Sequence, residues 1–154
     1  MGARILQTID EIRALTGQEV GVSEWITVSQ DRIAQFADAT ADPQWIHLDV
    51  ERAERESPYK STIAHGFLSL SLLPAMGRQV VRYGDAVRMT INYGLNRVRF
   101  PAPVRSGTRV RGRFRLLSAE DFDGGLQLAW AVTVEAEGSD KPCVVAEWLT
   151  RVYC

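Results

Sequence analysis

Asp42 and His47 stand five residues apart across a proline turn in Ala41-Asp42-Pro43-Gln44-Trp45-Ile46-His47, and Ile63-Ala64-His65-Gly66-Phe67 follows about one helix later. A carboxylate and an imidazole are side chains suited to taking up and returning a proton near neutral pH. A glycine heading an apolar helix adds backbone N–H groups where negative charge develops on a carbonyl oxygen. The set fits acid/base chemistry on a carbonyl compound, and no other region of the chain offers its equal. Each residue alone has a plainer reading. An Asp before Pro commonly ends a helix or opens a turn, and a single His near apolar residues is commonly a satisfied core group. The combination with Gly66 is what points to chemistry.

The elements that must position these groups follow from periodicity. Residues 8–16 read as a short amphipathic helix closed by Gly17, and Trp25 to Val28 as a short strand. Ser29 then caps a helix from Gln30 to about Thr40, with Ile33, Ala34, Phe36 and Ala37 at helical spacing. Pro43 stops it, because the residue before a proline is pushed out of the α region. Asp49 caps a short helix through Ala53, and residues 57–61 form a loop. A helix from Gly66 to about Val80 carries Phe67, Leu68, Leu70, Leu72, Leu73, Ala75 and Met76 on nearly every face, so it is expected to be buried all round and bent at Pro74.

From Ala86 the pattern changes to period 2. Val87, Met89, Ile91 and Tyr93 alternate with Arg88, Thr90 and Asn92; Gly94 interrupts, and Val98 and Phe100 resume before Pro101 and Pro103. Val110, Gly112, Phe114 and Leu116 form one face of the next strand and Arg109, Arg111, Arg113 and Arg115 the other. These arginines read as a solvated face opposite Glu135 and Glu137. Asp123-Gly124-Gly125 marks a hairpin turn, Leu126 to Val134 gives another alternating face, and Val144 to Tyr153 the last strand. Helices first, one apolar helix, then long antiparallel strands predict a single α+β domain over residues 1–154. In it a curved sheet wraps one central helix, with the helix at 8–16 as an appendage.

Bulk properties narrow the function classes. A formal net charge of -1 argues against a nucleic-acid or membrane partner held by electrostatics. The N-terminal residues lack an apolar signal-peptide core, and the best apolar run, Gly66 to Met76, is too short to span a bilayer. The two cysteines, Cys143 and Cys154, form neither metal-ligand spacing nor a disulfide framework, so a reduced, cytoplasmic setting is expected. A curved sheet leaves a free outer face and edges, for which at least a homodimer is expected.

These residues resemble the MaoC-like dehydratases, or (R)-specific enoyl-CoA hydratases. The family pattern of Asp, four residues and His, then an A-H-G segment opening the helix, is matched by Asp42, His47 and Ala64-His65-Gly66. Phe100-Pro101-Ala102-Pro103-Val104-Arg105-Ser106-Gly107-Thr108 matches its strand, proline and glycine-turn segment. The wording Gln44-Trp45-Ile46-His47 and Asn92-Tyr93-Gly94-Leu95-Asn96 is similar to the nodulation-protein-N-like branch. The resemblance covers residues from about 20 to the C-terminus. It departs at Ala41, commonly Gly, at Tyr59-Lys60-Ser61, where glycines are usual, and at Pro74, where some members carry a pocket serine.

The resemblance implies a hotdog fold, a helix wrapped by a curved sheet. It also implies reversible hydration of a trans-2-enoyl thioester of coenzyme A to the (R)-3-hydroxyacyl product. Asp42 and His47 would hold the water, with the proton roles between them open, and the Gly66 N–H would donate to the thioester oxygen. No metal or other cofactor is expected, coenzyme A being part of the substrate. Trp45, Ile63, His65 and Tyr93 are candidate substrate contacts, though His65 also reads as support for the loop entering the helix and the aromatics as core. The rival functions are a hotdog acyl-CoA thioesterase, a non-catalytic acyl-thioester-binding subunit, and a dehydratase acting on a carrier-bound acyl chain.

Overall fold

The computed structural model describes residues 2–154. Strand β1 (Arg4–Leu6) leads into helix α1 (Ile9–Ala14), capped by the Thr8 hydroxyl. Strands β2 (Glu19–Val22) and β3 (Ile26–Thr27) precede helix α2 (Gln30–Thr40), whose first turn is capped by Ser29 Oγ accepting from the Arg32 N–H. Two short helices follow, α3 (Trp45–Leu48) and α4 (Val50–Glu56), the second capped by Asp49. The apolar stretch forms α5 (Gly66–Ser71) and α6 (Leu73–Val80), and then come β4 (Val81–Tyr83), β5 (Met89–Arg99), β6 (Arg109–Phe122), β7 (Gly125–Ala136) and β8 (Val144–Tyr153).

The main sheet runs β2-β6-β7-β8-β5, with β3 also paired to β6 and every pairing antiparallel. Its concave face carries Val110, Phe114, Leu116, Leu128, Val132 and Val134, and these close on Leu72, Leu73, Met76 and Val80 of the central helical segment. Gly112 lies on the same face because a Cβ there would come 2.8 Å from Phe114 and 3.0 Å from the Met76 sulfur; the missing side chain lets α6 seat on β6. The arrangement is the hotdog fold, α+β as expected.

The structure corrects four expectations. The central helix is interrupted at Leu72, two residues before Pro74. The proline falls in the first turn of α6, where its missing N–H costs nothing, and Leu72 instead donates to Ser69 three residues back. Nor is the segment buried all round: Phe67 is 69% exposed, and the buried stripe is Leu68, Leu72, Leu73, Met76 and Val80. Gly94 does not split its strand but sits at a register shift within β5. Finally, α1 is no appendage, since Ile12 and Leu15 belong to the core and β1 pairs in parallel with β4. The arginine face is as expected: Arg109 pairs with Glu137, Arg111 and Arg113 with Glu135, and Arg113 also with Glu19. Among the described residues no helix is long and apolar enough to cross a membrane.

Candidate active site

Three backbone devices hold the Asp42–Gly66 segment. Helix α2 ends at Ala41 in the left-handed region (φ 56°), and the Asp42 N–H returns to the Ala37 carbonyl at 3.0 Å, a Schellman closure. The Ile63 N–H donates to the Ile46 carbonyl at 3.0 Å, tying the entry of the central helix to α3. The Ala64 N–H then reaches the Val104 carbonyl at 2.8 Å and Ser106 N–H the Thr62 carbonyl at 2.9 Å, fastening the same stretch to the β5–β6 connection. Side chains from distant parts of the sequence converge because of these ties.

His47 and His65 are both buried, and their rings stack with centroids 3.7 Å apart. His47 Nδ1–H donates to the Ile63 carbonyl at 2.7 Å, which leaves Nε2 as the nitrogen with the lone pair. Burial pushes the His47 imidazole below the ordinary histidine range, with the bond to the Ile63 carbonyl opposing it. The ring is thus neutral and a proton acceptor. His65 Nε2–H donates to the Asp42 backbone carbonyl at 3.0 Å and lies 3.9 Å from the Asp42 carboxylate. That carboxylate is 53% exposed, so it faces solvent beside two buried imidazoles.

Asp42, His47 and His65 each set one potential ligand atom within 4.8 Å of the others. The His65 nitrogen facing the carboxylate, however, carries the hydrogen given to the Asp42 carbonyl and has no lone pair for a metal. Gly66 opens α5 with His65 at the N-cap, and the His65 side chain makes no capping bond. A Cβ on Gly66 would come 2.7 Å from Cδ2 of Phe100, whose ring lies against the helix head and meets Phe67 edge-on. Two partners were not legible as site residues. Phe100 is one, signalled only by its place before Pro101-Ala102-Pro103. The other is Gln30, which donates to the His47 carbonyl at 2.7 Å and accepts from the Thr62 hydroxyl.

The structure thus gathers Asp42, His47, Ile63, His65 and Gly66. Ile63 takes part through its backbone. Trp45 is half-buried beneath the Arg52 guanidinium at 4.1 Å. Tyr93 lies on β5 under Arg151 at 3.8 Å, beside a cleft lined by Leu70, Pro74 and Trp148. A larger cleft of about 480 Å³ runs between α6 and β5, floored by Phe114, Trp130, Trp148 and Thr150.

A helix wrapped by a curved sheet, with a carboxylate and two imidazoles gathered at its head, marks a hotdog-fold enzyme of the hydratase/dehydratase class. The MaoC like domain model matches residues 11–137, and the chain belongs to that family. It is 47% identical over 96% of its length to 3-hydroxyacyl-thioester dehydratase Z of Mycobacterium tuberculosis, covering 97% of that protein. It is 50% identical to Nodulation protein N of Rhizobium leguminosarum bv. viciae, over 94% of this chain and 91% of the relative. Among solved structures, R-hydratase PhaJ1 from Pseudomonas aeruginosa superposes with TM-score 0.72 at 25% identity, covering 90% of this chain and 81% of that one. A monoamine oxidase regulatory protein from Archaeoglobus fulgius shares the fold at TM-score 0.81 and 24% identity over 99% of this chain and 98% of that one.

Proposed function

We propose that this protein catalyses the reversible (R)-specific hydration of trans-2-enoyl-CoA thioesters, with Asp42 and His47 as the catalytic pair. The observation that carries this reading is the His47 ring: a carbonyl fixes its Nδ1–H so that Nε2 keeps the lone pair, burial favours the neutral form, and a ring nitrogen lies within 4.8 Å of an Asp42 carboxylate oxygen. A water there donates one hydrogen to Asp42 and one to Nε2. Its oxygen bonds to C3 of the enoyl group, the C2=C3 π bond breaks, and the electrons move onto the thioester oxygen. The Gly66 N–H, at the positive end of the central helix, steadies that enolate, as one oxyanion donor typically does by about 2.7–4 kcal/mol. Neither acceptor starts with a proton to spare. The group that takes a proton from water is therefore the one that returns it to C2 on the same face, and the net change is addition of H and OH.

The cleft between α6 and β5 offers room for the acyl tail, opened where Gly77 presents no side chain to Trp148. No metal or redox group takes part in these steps. Strand β5 is an outer strand eleven residues long with Met89, Ile91, Tyr93 and Leu95 exposed, an edge that calls for covering, and a homodimer through it is the partner we assign.

The test is hydration of a short trans-2-enoyl-CoA by wild type and Asp42→Asn, with the product resolved on a chiral column. (R)-3-hydroxyacyl-CoA from the wild type alone is expected. Thiol release from saturated acyl-CoA would replace this reading with a thioesterase, and thioester binding without turnover would replace it with a binding subunit.

A further inference from the structure

His65 touches both members of the proposed pair, and its own chemistry is unusual for its position. An N-cap is ordinarily Ser, Thr, Asp or Asn, whose side chain accepts from a helix-head N–H. The His65 side chain makes no such bond. It is 3% exposed, and its Nδ1 is one of only two buried side-chain polar atoms without a hydrogen-bond partner among the described residues. Burying an unpaired nitrogen costs stability, so something else holds an imidazole here. Its two uses are visible. Nε2–H is given to the Asp42 carbonyl at 3.0 Å, and the ring face backs His47 at 3.7 Å, with Phe36 tilted against it at 5.0 Å.

Asp42 needs that tie. Its N–H is held by Ala37, the following Pro43 has no N–H, and His65 Nε2 lies 3.9 Å from its carboxylate. The half-exposed carboxylate is thus aimed by its backbone, through the α2 closure on one side and His65 on the other. We propose that His65 is a positioning residue that sets the distance and angle between the Asp42 carboxylate and His47 Nε2, by holding the Asp42 carbonyl and backing the His47 ring with one buried side chain. This rests on Asp42 and His47 being the reacting pair. An imidazole suits both tasks: phenylalanine would offer the face without the donor, glutamine a donor without the face.

The experiment compares His65→Phe and His65→Gln with wild type. In His65→Phe, kcat is expected to fall about 10- to 100-fold, the scale of a misplacement near 1 Å, with KM nearly unchanged. His65→Gln, which restores a donor at the Nε2 position, is expected to recover a large part of that loss at a similar melting temperature. Wild-type kcat in His65→Phe, equal losses in both variants, or a change confined to KM would overturn the proposal. A second readout needs neither turnover nor a folded variant. Nitrogen NMR of the wild type must find His65 as the Nε2–H tautomer, and the opposite tautomer sinks the proposal. In folded variants the Asp42 carbonyl resonance should move in His65→Phe and return in His65→Gln. Wild type that hydrates no enoyl-CoA but passes the NMR test would instead remove the functional reading and leave the positioning geometry standing.

Discussion

Two regions of this molecule concentrate ionisable side chains, and they treat them oppositely. On β6 and β7 the arginines and glutamates are partly exposed and paired across the strands, Arg109 with Glu137 at 2.6 Å and Arg111 with Glu135 at 2.8 Å. At the head of the central helix two imidazoles are buried and held by main-chain carbonyls, and the one carboxylate stands 3.9 Å from His65 Nε2. Paired charges at a surface have spent their hydrogen-bonding capacity on each other. Groups pinned by backbone at one atom keep another free for a reactant. That difference separates a solvated face from a site better than any count of charged residues.

The largest effect that tests this contrast is loss of the free acceptors. Asp42→Asn and His47→Ala should each lower enoyl-CoA hydration by at least about 10²-fold while circular dichroism shows the fold retained; undiminished activity in either would remove that residue from the pair. Next comes the helix head. Gly66→Ala drives a methyl toward the Phe100 ring and should cost about 1–3 kcal/mol of stability together with most activity. The double variant Gly66→Ala/Phe100→Ala should regain stability, and purely additive losses in denaturant titrations would contradict the contact.

Acid separates the two regions along the pH axis. Because burial holds native His47 below the ordinary histidine range, the unfolded chain takes up a proton first as pH falls below about 6.5. Stability is therefore lost from there downward until native His47 also protonates. Glu135 is held low first by its hydrogen bond from Arg113 and further by Arg111, so its contribution is intact above about 4.3 and is lost only as pH drops through the depressed native value. Melting curves from pH 8 to 3 should show an upper phase absent in His47→Ala and a lower one absent in Glu135→Gln. At neutral pH Arg113→Ala should cost less than about 1 kcal/mol, as exposed pairs do, and leave kcat unchanged.

The smallest effect concerns the turn that presents Asp42. Ala41 sits at φ 56°, a conformation costing an L-residue about 1–2 kcal/mol that glycine avoids. Ala41→Gly should raise the unfolding free energy by under about 1 kcal/mol after the added chain entropy is counted. The position where the family commonly carries glycine is thus the one whose backbone asks for it, and Lys60, at φ 57° in the other glycine-poor loop, repeats the pattern.

Periodicity made the long strands readable. Val110, Gly112, Phe114 and Leu116 alternate because one sheet face is buried, and Val144–Tyr153 appears with the limits expected. Strands β1, β2 and β4 were not visible, since three or four residues carry no period and their existence depends on partners such as Val81 for Arg4. The helix interruption was foreshadowed by Pro74 but displaced to Leu72. At the corner, residue types and spacing singled out Asp42, His47 and Gly66, but not what braces them. Gln30 and Phe100 reach the site through tertiary contacts across long stretches of chain, which no local pattern records.

The two cysteines give the protein an internal clock for its own motions. Cys143 is buried beside Val134 where β8 begins, and burial pushes its thiol up to about 11, whereas Cys154 is exposed at the end of the chain. A thiol reagent should modify Cys154 at once and Cys143 only when the β7–β8 margin opens. The slow phase of labelling then reads the opening of the sheet in the intact protein, without a probe having to be introduced.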